Sequence, residues 1–552
     1  MSISAVPINK EGFYLMMYRI HKRFICAIII ACLMLSMLAS AHAEVYVNDS
    51  SGVVGSLDGA YAVGGAGEAE AIGGSTIYAI TGNGVEAIGG AEVSPPPTVE
   101  VPSAVMYIGL SFGSTEVSAI TLRNSVGSGY KFGFYDANRT FFEIGATTET
   151  QITALKDKNV TLTAGVIGCY HIKLPAVYNS FSAAQDAASA YGDGFPAYYN
   201  GSWNVLVGHY EKYDDAASAA VSRGIQGTAF SASSKCVVVT KAGTSKILFE
   251  FDYGDTFSLA IRPVSTGAKA VTSYNGHTYY GDFIFRRITG DNLTVSNAIS
   301  MEDYVKGVVP YEMSPSWPIE ALKAQAVCAR TYAASNMNKH RSYGFDTCNS
   351  TDCQAYLGTE RANATTDQAV DATAGQFVTY EGKLCSTLYF SSDGGATEDN
   401  ENINVQPYPY LKGVVDPYEQ DIVEDYYGKS WSHEFSAAQL RTKLINRGYS
   451  IGDIVAVEPT YTRMGNMYSI KFTDSTGKSV TITRYQCVTV MGVQSVRYTI
   501  ERSEQTGLYV IKGTGWGHNV GMSQWGAYSM AKYHNKGYVE IIKFYYTGVS
   551  VG

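Results

Sequence analysis

The chain has 552 residues, 16% of them charged, and a formal net charge of −9. That balance lacks the basic footprint nucleic acid requires, so no nucleic-acid partner is expected. At about 150 residues per domain, the length allows roughly three to four domains, each large enough to bury a core.

In chain order, Arg19, His21, Lys22 and Arg23 precede an apolar run over 24–38 and a small-x-small site at Ala41-His42-Ala43. Residues 1–43 therefore read as a secretory signal, or as an N-terminal anchor if uncleaved, with Met16 or Met17 as alternative starts. The expected location is secreted or cell-envelope. Seven cysteines remain after the signal, an odd number that leaves at least one outside a disulfide. Residues 44–98 carry the near-repeats AVGGAGEAEAIGG and EAIGGAEV and close on Pro95-Pro96-Pro97. This stretch reads as a flexible spacer without a fold. Over 99–165, alternating segments at 105–113 and 117–122 predict strands between glycine turns. Residues 166–243 hold an internal repeat, in which a strand, an aromatic turn and an alanine-rich helix occur twice. Such paired units predict a small α/β sandwich. Alternating strands at 247–257 and 277–287 open the last region, 244–552. The expected class is a multidomain α+β protein with β-rich regions and a helical catalytic lobe.

The stretch 304–333, YVKGVVPYEMSPSWPIEALKAQAVCARTYA, concentrates the chemistry. Ser316 can cap a helix that begins near Pro318 and runs over 319–330. Almost every helical position is small or apolar, which predicts burial around most of its circumference. Lys323, Gln325 and Arg330 then need partners. Glu312, just before this helix, is a candidate general acid/base, although the pattern alone also fits a salt-bridged glutamate. Further on, Ser391, Ser392, Asp393, Gly394, Gly395 and Thr397 form a glycine loop after a strand. The loop either admits a ligand close to backbone N–H groups or is a tight turn. A glycine-rich turn, Gly515-Trp516-Gly517-His518, leads to Gln524 and a helix through Ala531, and Asn519 within it tolerates positive φ. Cys348 and Cys353 form a C-x4-C pair, with His340 and Asp352 the nearest further ligands. Tetrahedral zinc, a disulfide and free thiols all fit this pair. Cys328 and Cys385 read as small buried residues.

Three blocks, 304–333, LYFSSDGGATED at 388–399 and GTGWGHNVGMSQWGAYSMAKYHNKGYVEIIKFYYTGVSV at 513–551, resemble the stage II sporulation protein D / LytB (amidase enhancer) family in order and spacing. The internal repeat resembles a SPOR domain, a module that binds glycan strands stripped of peptide stems. Trp203, Tyr198, Tyr199 and Tyr210 would be stacking residues there, or core. The resemblance implies a peptidoglycan lytic transglycosylase of sporulation or wall remodelling with Glu312 as its acid. Hydrolytic glycosidases usually need two carboxylates. A transglycosylase needs fewer groups, because the sugar's own C6 hydroxyl attacks C1 and intramolecular attack replaces a positioned water. Glu312 should have a raised pKa, with Met313, Pro315 and Trp317 as an apolar wall. The family likeness sets Lys323, Gln325 and Arg330 near the cleft, where they hold Glu312, contact the sugar or satisfy buried groups, and His518 beside it, to polarise a sugar hydroxyl or steer Glu312. With Ser392, Gly394, Gly395 and Gln524 these are the expected substrate-binding residues. It also implies a structural or substrate-positioning zinc held by Cys348, Cys353 and His340. Expected partners are peptidoglycan glycan strands and a cell-wall amidase. The alternative function is a non-catalytic, wall-binding amidase enhancer. The family commonly has glycine where this chain has Asn519.

Overall fold

The computed structural model describes residues 105–289 and 291–552, with short strands inside 56–87. The expected signal at 1–43 lies outside the described residues. Two compact units divide at residue 97. In the first, Ser56–Leu57, Ala60–Val63 and Glu70–Ile72 form an antiparallel sheet, and Tyr78–Thr81 pairs with Gly84–Ala87. These strands correct the expectation of a spacer without a fold, for the residues they cover. Short alternating runs between glycines pair as ribbons.

The second unit is built on two large sheets. One has seven strands in the order Thr347–Cys348, Val105–Ser111, Thr294–Ser300, Asp282–Arg286, Leu259–Pro263, Tyr130–Tyr135, Phe141–Thr147. The other has ten, in the order Thr228–Phe230, Tyr170–Tyr178, Ser202–Tyr210, Gly194–Tyr199, Ile247–Asp252, Val237–Lys241, Gln151–Lys156, Ala119–Asn124, Thr272–Tyr274, His277–Tyr279. Period-two patterning explains their burial, since alternate residues take opposite faces. Phe132 of the first sheet stacks on Phe249 of the second at 4.8 Å, and the facing sides share one core. The outer face of the ten-stranded sheet has its own smaller core, including Leu155, Phe195, Leu206 and Val238. The expected strand at 247–257 stops at Asp252, before a left-handed turn at Gly254 (φ 56°). The expected strand at 277–287 is split at Gly281 (φ 80°).

Within the internal repeat, helices α1 (Phe181–Ala188) and α2 (Tyr213–Ser222) complete a β-α-β-β-α-β unit. Numbering its strands 1 to 4 along the chain, their order in the sheet is 4-1-3-2. Its edge joins the rest of the ten-stranded sheet through parallel pairing of Ala197–Tyr199 with Glu250–Asp252. Trp203 and Tyr199 are core residues, 6% and 8% exposed. Tyr198 packs partly buried against Trp203, and the Tyr210 hydroxyl accepts from Arg223.

The remaining helices are α3 (Met301–Glu312), α4 (Ile319–Ser335), α5 (Ala364–Asp371), α6 (Ala437–Ile445), α7 (Gln486–Thr489), α8 (Gln524–Tyr533) and α9 (Tyr538–Tyr545). The α+β class expected from the sequence holds. Helix α4 is the axis of the lobe, touched by α3, α5, α8 and α9. Its run from Ala324 to Thr331 is wholly buried, as the small-residue pattern predicts. Ser316 does not cap it. Pro318 occupies the cap position, and the Ser316 hydroxyl pairs instead with that of Ser314 at 2.9 Å. Among the described residues, no helix is long and apolar enough to cross a membrane.

Candidate active site

Glu312 is the last residue of α3, whose start is capped by Ser300. It is therefore placed by a helix C-terminus, where the partial negative charge of the backbone disfavours a second negative charge. Burial pushes its carboxyl above the usual carboxylate range, while hydrogen bonds from Gln524, Tyr389 and the backbone of Ala355 pull the other way. A cavity of about 500 Å³ opens beside it, lined by Tyr311, Met313, Pro315 and Arg361 among others. The guanidinium of Arg361 lies 4.6 Å from the Tyr311 ring centre.

Two distant segments meet Glu312 through one short parallel pairing, Tyr389 with Met522 and Phe390 with Ser523. Ser523 caps α8 by accepting from Gly526 N–H, so Gln524 is fixed at the first turn. The Gln524 amide donates to Glu312 Oε2 at 3.2 Å and to Gln325 Oε1 at 3.4 Å. On the other side, Gln354 donates to the Tyr389 hydroxyl at 2.9 Å and accepts from Tyr304 at 3.0 Å. Glu312, Gln325 and Gln524 are thus brought together. Tyr389, Gln354 and Ala355 complete the setting and were not legible as site residues. Beside Gln524, the Trp317 and Trp525 rings lie 4.7 Å apart, and Trp525 stacks on Tyr426 at 4.4 Å.

Other expected substrate residues are engaged elsewhere. Lys323 pairs with Glu320 at 2.7 Å, one turn back on α4. Arg330 is fully buried and forks onto Glu302 at 2.9 and 2.6 Å, donating also to the carbonyls of Gln376 and Val370. The Ser392–Gly395 loop closes on a buried carboxylate: Glu419 accepts from Ser392 Oγ, Asp393 N and Gly394 N, and Gly395 N donates to Asp393. This is the tight-turn alternative, with the loop's N–H groups already occupied. His518 is held neutral. Its Nε2 donates to the Tyr389 carbonyl, its Nδ1 accepts from Val520 N–H, and burial pushes its pKa down to about 4. It braces the Tyr389 strand, and both nitrogens are committed. Asn519 takes φ 61° as expected and donates to the carbonyls of Asp393 and Ala396.

His340, Cys348, Asp352 and Cys353 form a separate cluster, with one ligand atom of each within 4.8 Å of the others. His340 Nε2 lies 3.3 Å from Cys353 Sγ and 3.2 Å from Asp352 Oδ2. Both thiols are free. A hydrogen bond from Cys353 holds the Cys348 thiol down to about 5, which gives it thiolate character, and the same bond pushes Cys353 up. Two sulfurs, an imidazole and a carboxylate are a donor set that suits a tetrahedral divalent ion. Cys328 and Cys385 are fully buried, as expected.

Comparison with known proteins adds the following. The family described as stage II sporulation protein matches residues 289–380. An uncharacterized protein of Brachyspira hyodysenteriae is 39% identical over 284 residues, covering 50% of this chain and 73% of that protein. Stage II sporulation protein D of Bacillus subtilis is 30% identical over 282 residues, 47% of this chain and 76% of its own length. The amidase enhancer of Bacillus subtilis is 29% identical over 349 residues, 54% of this chain and 47% of its own length.

Proposed function

The chain belongs to the stage II sporulation protein D family, and on that premise we propose that it is an extracytoplasmic peptidoglycan lytic transglycosylase with Glu312 as its acid and base. The observation that carries this reading is a lone, partly desolvated carboxyl beside a cavity. Among the described residues, neither the groups that act on Glu312 nor the lining of the cavity beside it includes a second carboxylate. Hydrolysis with a positioned water usually requires that second group. In the proposed reaction the Glu312 proton passes to the glycosidic oxygen as its bond to C1 of N-acetylmuramic acid breaks. The C6 hydroxyl oxygen then bonds to C1, and its proton returns to Glu312. Gln524 and Tyr389 orient the carboxyl, and the Trp317–Trp525 surface offers apolar faces to sugar rings.

Zinc at His340, Cys348, Asp352 and Cys353 is part of the proposal. When bound, the ion would supply a rigid anchor for the loop. Cys353 is followed by Gln354, which holds Tyr389, and by Ala355, which bonds Glu312. A fixed Cys353 thereby fixes two of the groups that orient the acid. Denuded strands are the preferred polymer in this reading, by the likeness of the β-α-β-β-α-β unit to a SPOR domain, although Trp203 and Tyr199 there are core.

The test is incubation of the protein with denuded and with peptide-bearing glycan strands, and mass spectrometry of the products, with Glu312→Gln in parallel. Anhydro-ended fragments from the wild type are expected, reduced by a factor on the order of 10²–10⁴ in the variant. Reducing ends would instead mean a hydrolase. The similarity to an amidase enhancer supports a second reading, a non-catalytic partner of a wall amidase. Binding without cleavage, with a faster amidase in the same mixture, would select it.

A further inference from the structure

A second set of donors lies on the outer face of the ten-stranded sheet, turned away from α1 and α2. Asp157 follows the strand Gln151–Lys156, His171 stands on Tyr170–Tyr178, and Glu250 on Ile247–Asp252. Their exposures are 7%, 0% and 0%. One ligand atom of each lies within 4.8 Å of the other two.

The hydrogen-bond pattern leaves these three groups facing one another. His171 Nδ1 is 2.7 Å from the Gly208 carbonyl, so it carries the ring proton and Nε2 presents a lone pair. Nε2 lies 3.4 Å from Glu250 Oε2 and 4.0 Å from Asp157 Oδ1. None of these three atoms has a hydrogen-bond partner among the described residues. The other carboxylate oxygen, Glu250 Oε1, is already taken by the Tyr199 hydroxyl at 2.7 Å and the Cys236 thiol at 3.1 Å. The Phe195 ring meets His171 edge-on at 5.2 Å, and Leu155, Ile167 and Leu206 keep the surroundings dry.

Three buried acceptors converging without a donor is a costly arrangement. A cation between them removes the cost. Ligands at about 2.0–2.1 Å from a tetrahedral zinc sit about 3.4 Å apart, which is the observed His171–Glu250 separation. A shared proton is the competing solution, and burial does push Glu250 up to about 7. Burial pushes Asp157 up as well, but its Oδ1 lies 4.0 Å from His171 Nε2, too far for a proton there to hydrogen-bond the ring.

We propose that Asp157, His171 and Glu250 supply three donors to a buried structural site for a divalent transition ion, zinc by its imidazole and carboxylate donors. The ion joins the first strand of the β-α-β-β-α-β unit to two segments outside it. All three residues are buried, so the role is that of a staple rather than a catalyst. Arg287 keeps the Asp157 segment in place by donating to the carbonyls of Asp157 and Cys236.

The test is metal analysis of full-length protein purified after growth with zinc, by plasma mass spectrometry. Expected are two equivalents in the wild type, one in Cys348→Ser/Cys353→Ser, and none when Glu250→Gln is added, with a lower unfolding temperature. Glu250→Gln keeps an acceptor for Tyr199 and Cys236. A zinc-free Cys348→Ser/Cys353→Ser protein overturns the proposal, as does zinc that survives Glu250→Gln. If the triple variant fails to fold, cobalt(II) in the double variant decides. Visible bands of a bound, thiolate-free ion support the site, and their absence overturns it. Wild type with one ion that persists in the double variant would remove the thiolate site and leave this one standing.

Discussion

Glu312 titrates in a direction that can be checked. Its folded pKa is raised, and the proposed reaction needs the protonated form. Activity is therefore full at low pH and lost as pH rises through the raised value. Removing the Gln524 donor takes away the largest influence that stabilises the carboxylate, so Gln524→Leu should move this alkaline limb upward in a pH–rate profile. The same shift makes the ionised form a burden on the fold. That cost is absent below the ordinary glutamate range and complete above the folded pKa. Glu312→Gln should accordingly melt no lower than wild type at neutral pH, and the difference should vanish in acid. Arg330 belongs to a different category. Arg330→Ala leaves Glu302 and two carbonyls without their partner, and urea denaturation should show a loss of about 3 kcal/mol. From the chain alone, Arg330 visibly needs a partner, but nothing in a one-dimensional pattern says whether that partner is a sugar or Glu302. Tyr389 is hidden among 42 tyrosines, and a backbone N–H such as that of Ala355 has no letter at all.

Among the elements, α4 was legible because a long run of small residues has one outcome, burial on all sides. The preceding helix, α3, was not. Gly307, Pro310 and the β-branched Val305, Val308 and Val309 weaken every local helix signal, and tertiary packing overrides them, with Tyr304, Val305, Val308 and Val309 all fully buried. The turn before α8 was readable in kind: Asn519 adopts the positive φ expected of it. What the turn holds was not, because the pairing of 389–390 with 522–523 spans more than a hundred residues. A methyl at Gly521 would sit 2.0 Å from the Leu388 carbonyl, at φ 79°. Gly521→Ala should therefore part these two strands, lowering both the unfolding temperature and anhydro-product formation. Asn519→Gly keeps the φ and loses only the two side-chain hydrogen bonds, so it should be the milder change in the same two assays.

On the scale of the whole molecule, the two sheets and the helical lobe were legible as strand and helix content, while the joints between them were not. Edge-to-edge pairing of the repeat with Ile247–Asp252 is carried by backbone atoms, which no residue pattern encodes. One joint links chemistry to architecture: residues 353–355 run from the thiol cluster to Glu312. Cys348→Ser/Cys353→Ser should lower glycan cleavage by roughly 10–100-fold, the usual effect of losing an orienting contact around such a centre. Circular dichroism should show the fold retained.

The short parallel pairing of Tyr389–Phe390 with Met522–Ser523 also sets a clock. A chain that has emerged only as far as α6 already contains Glu312 and its wall, but not Gln524, nor the strand that seats Tyr389. The acid is then present without the groups that aim it. In the proposed reaction, cleavage therefore waits for α8 to bring Gln524 to Glu312. If the chain cleaves glycan as proposed, a fragment ending before Met522 should release no anhydro sugar even with Glu312 intact.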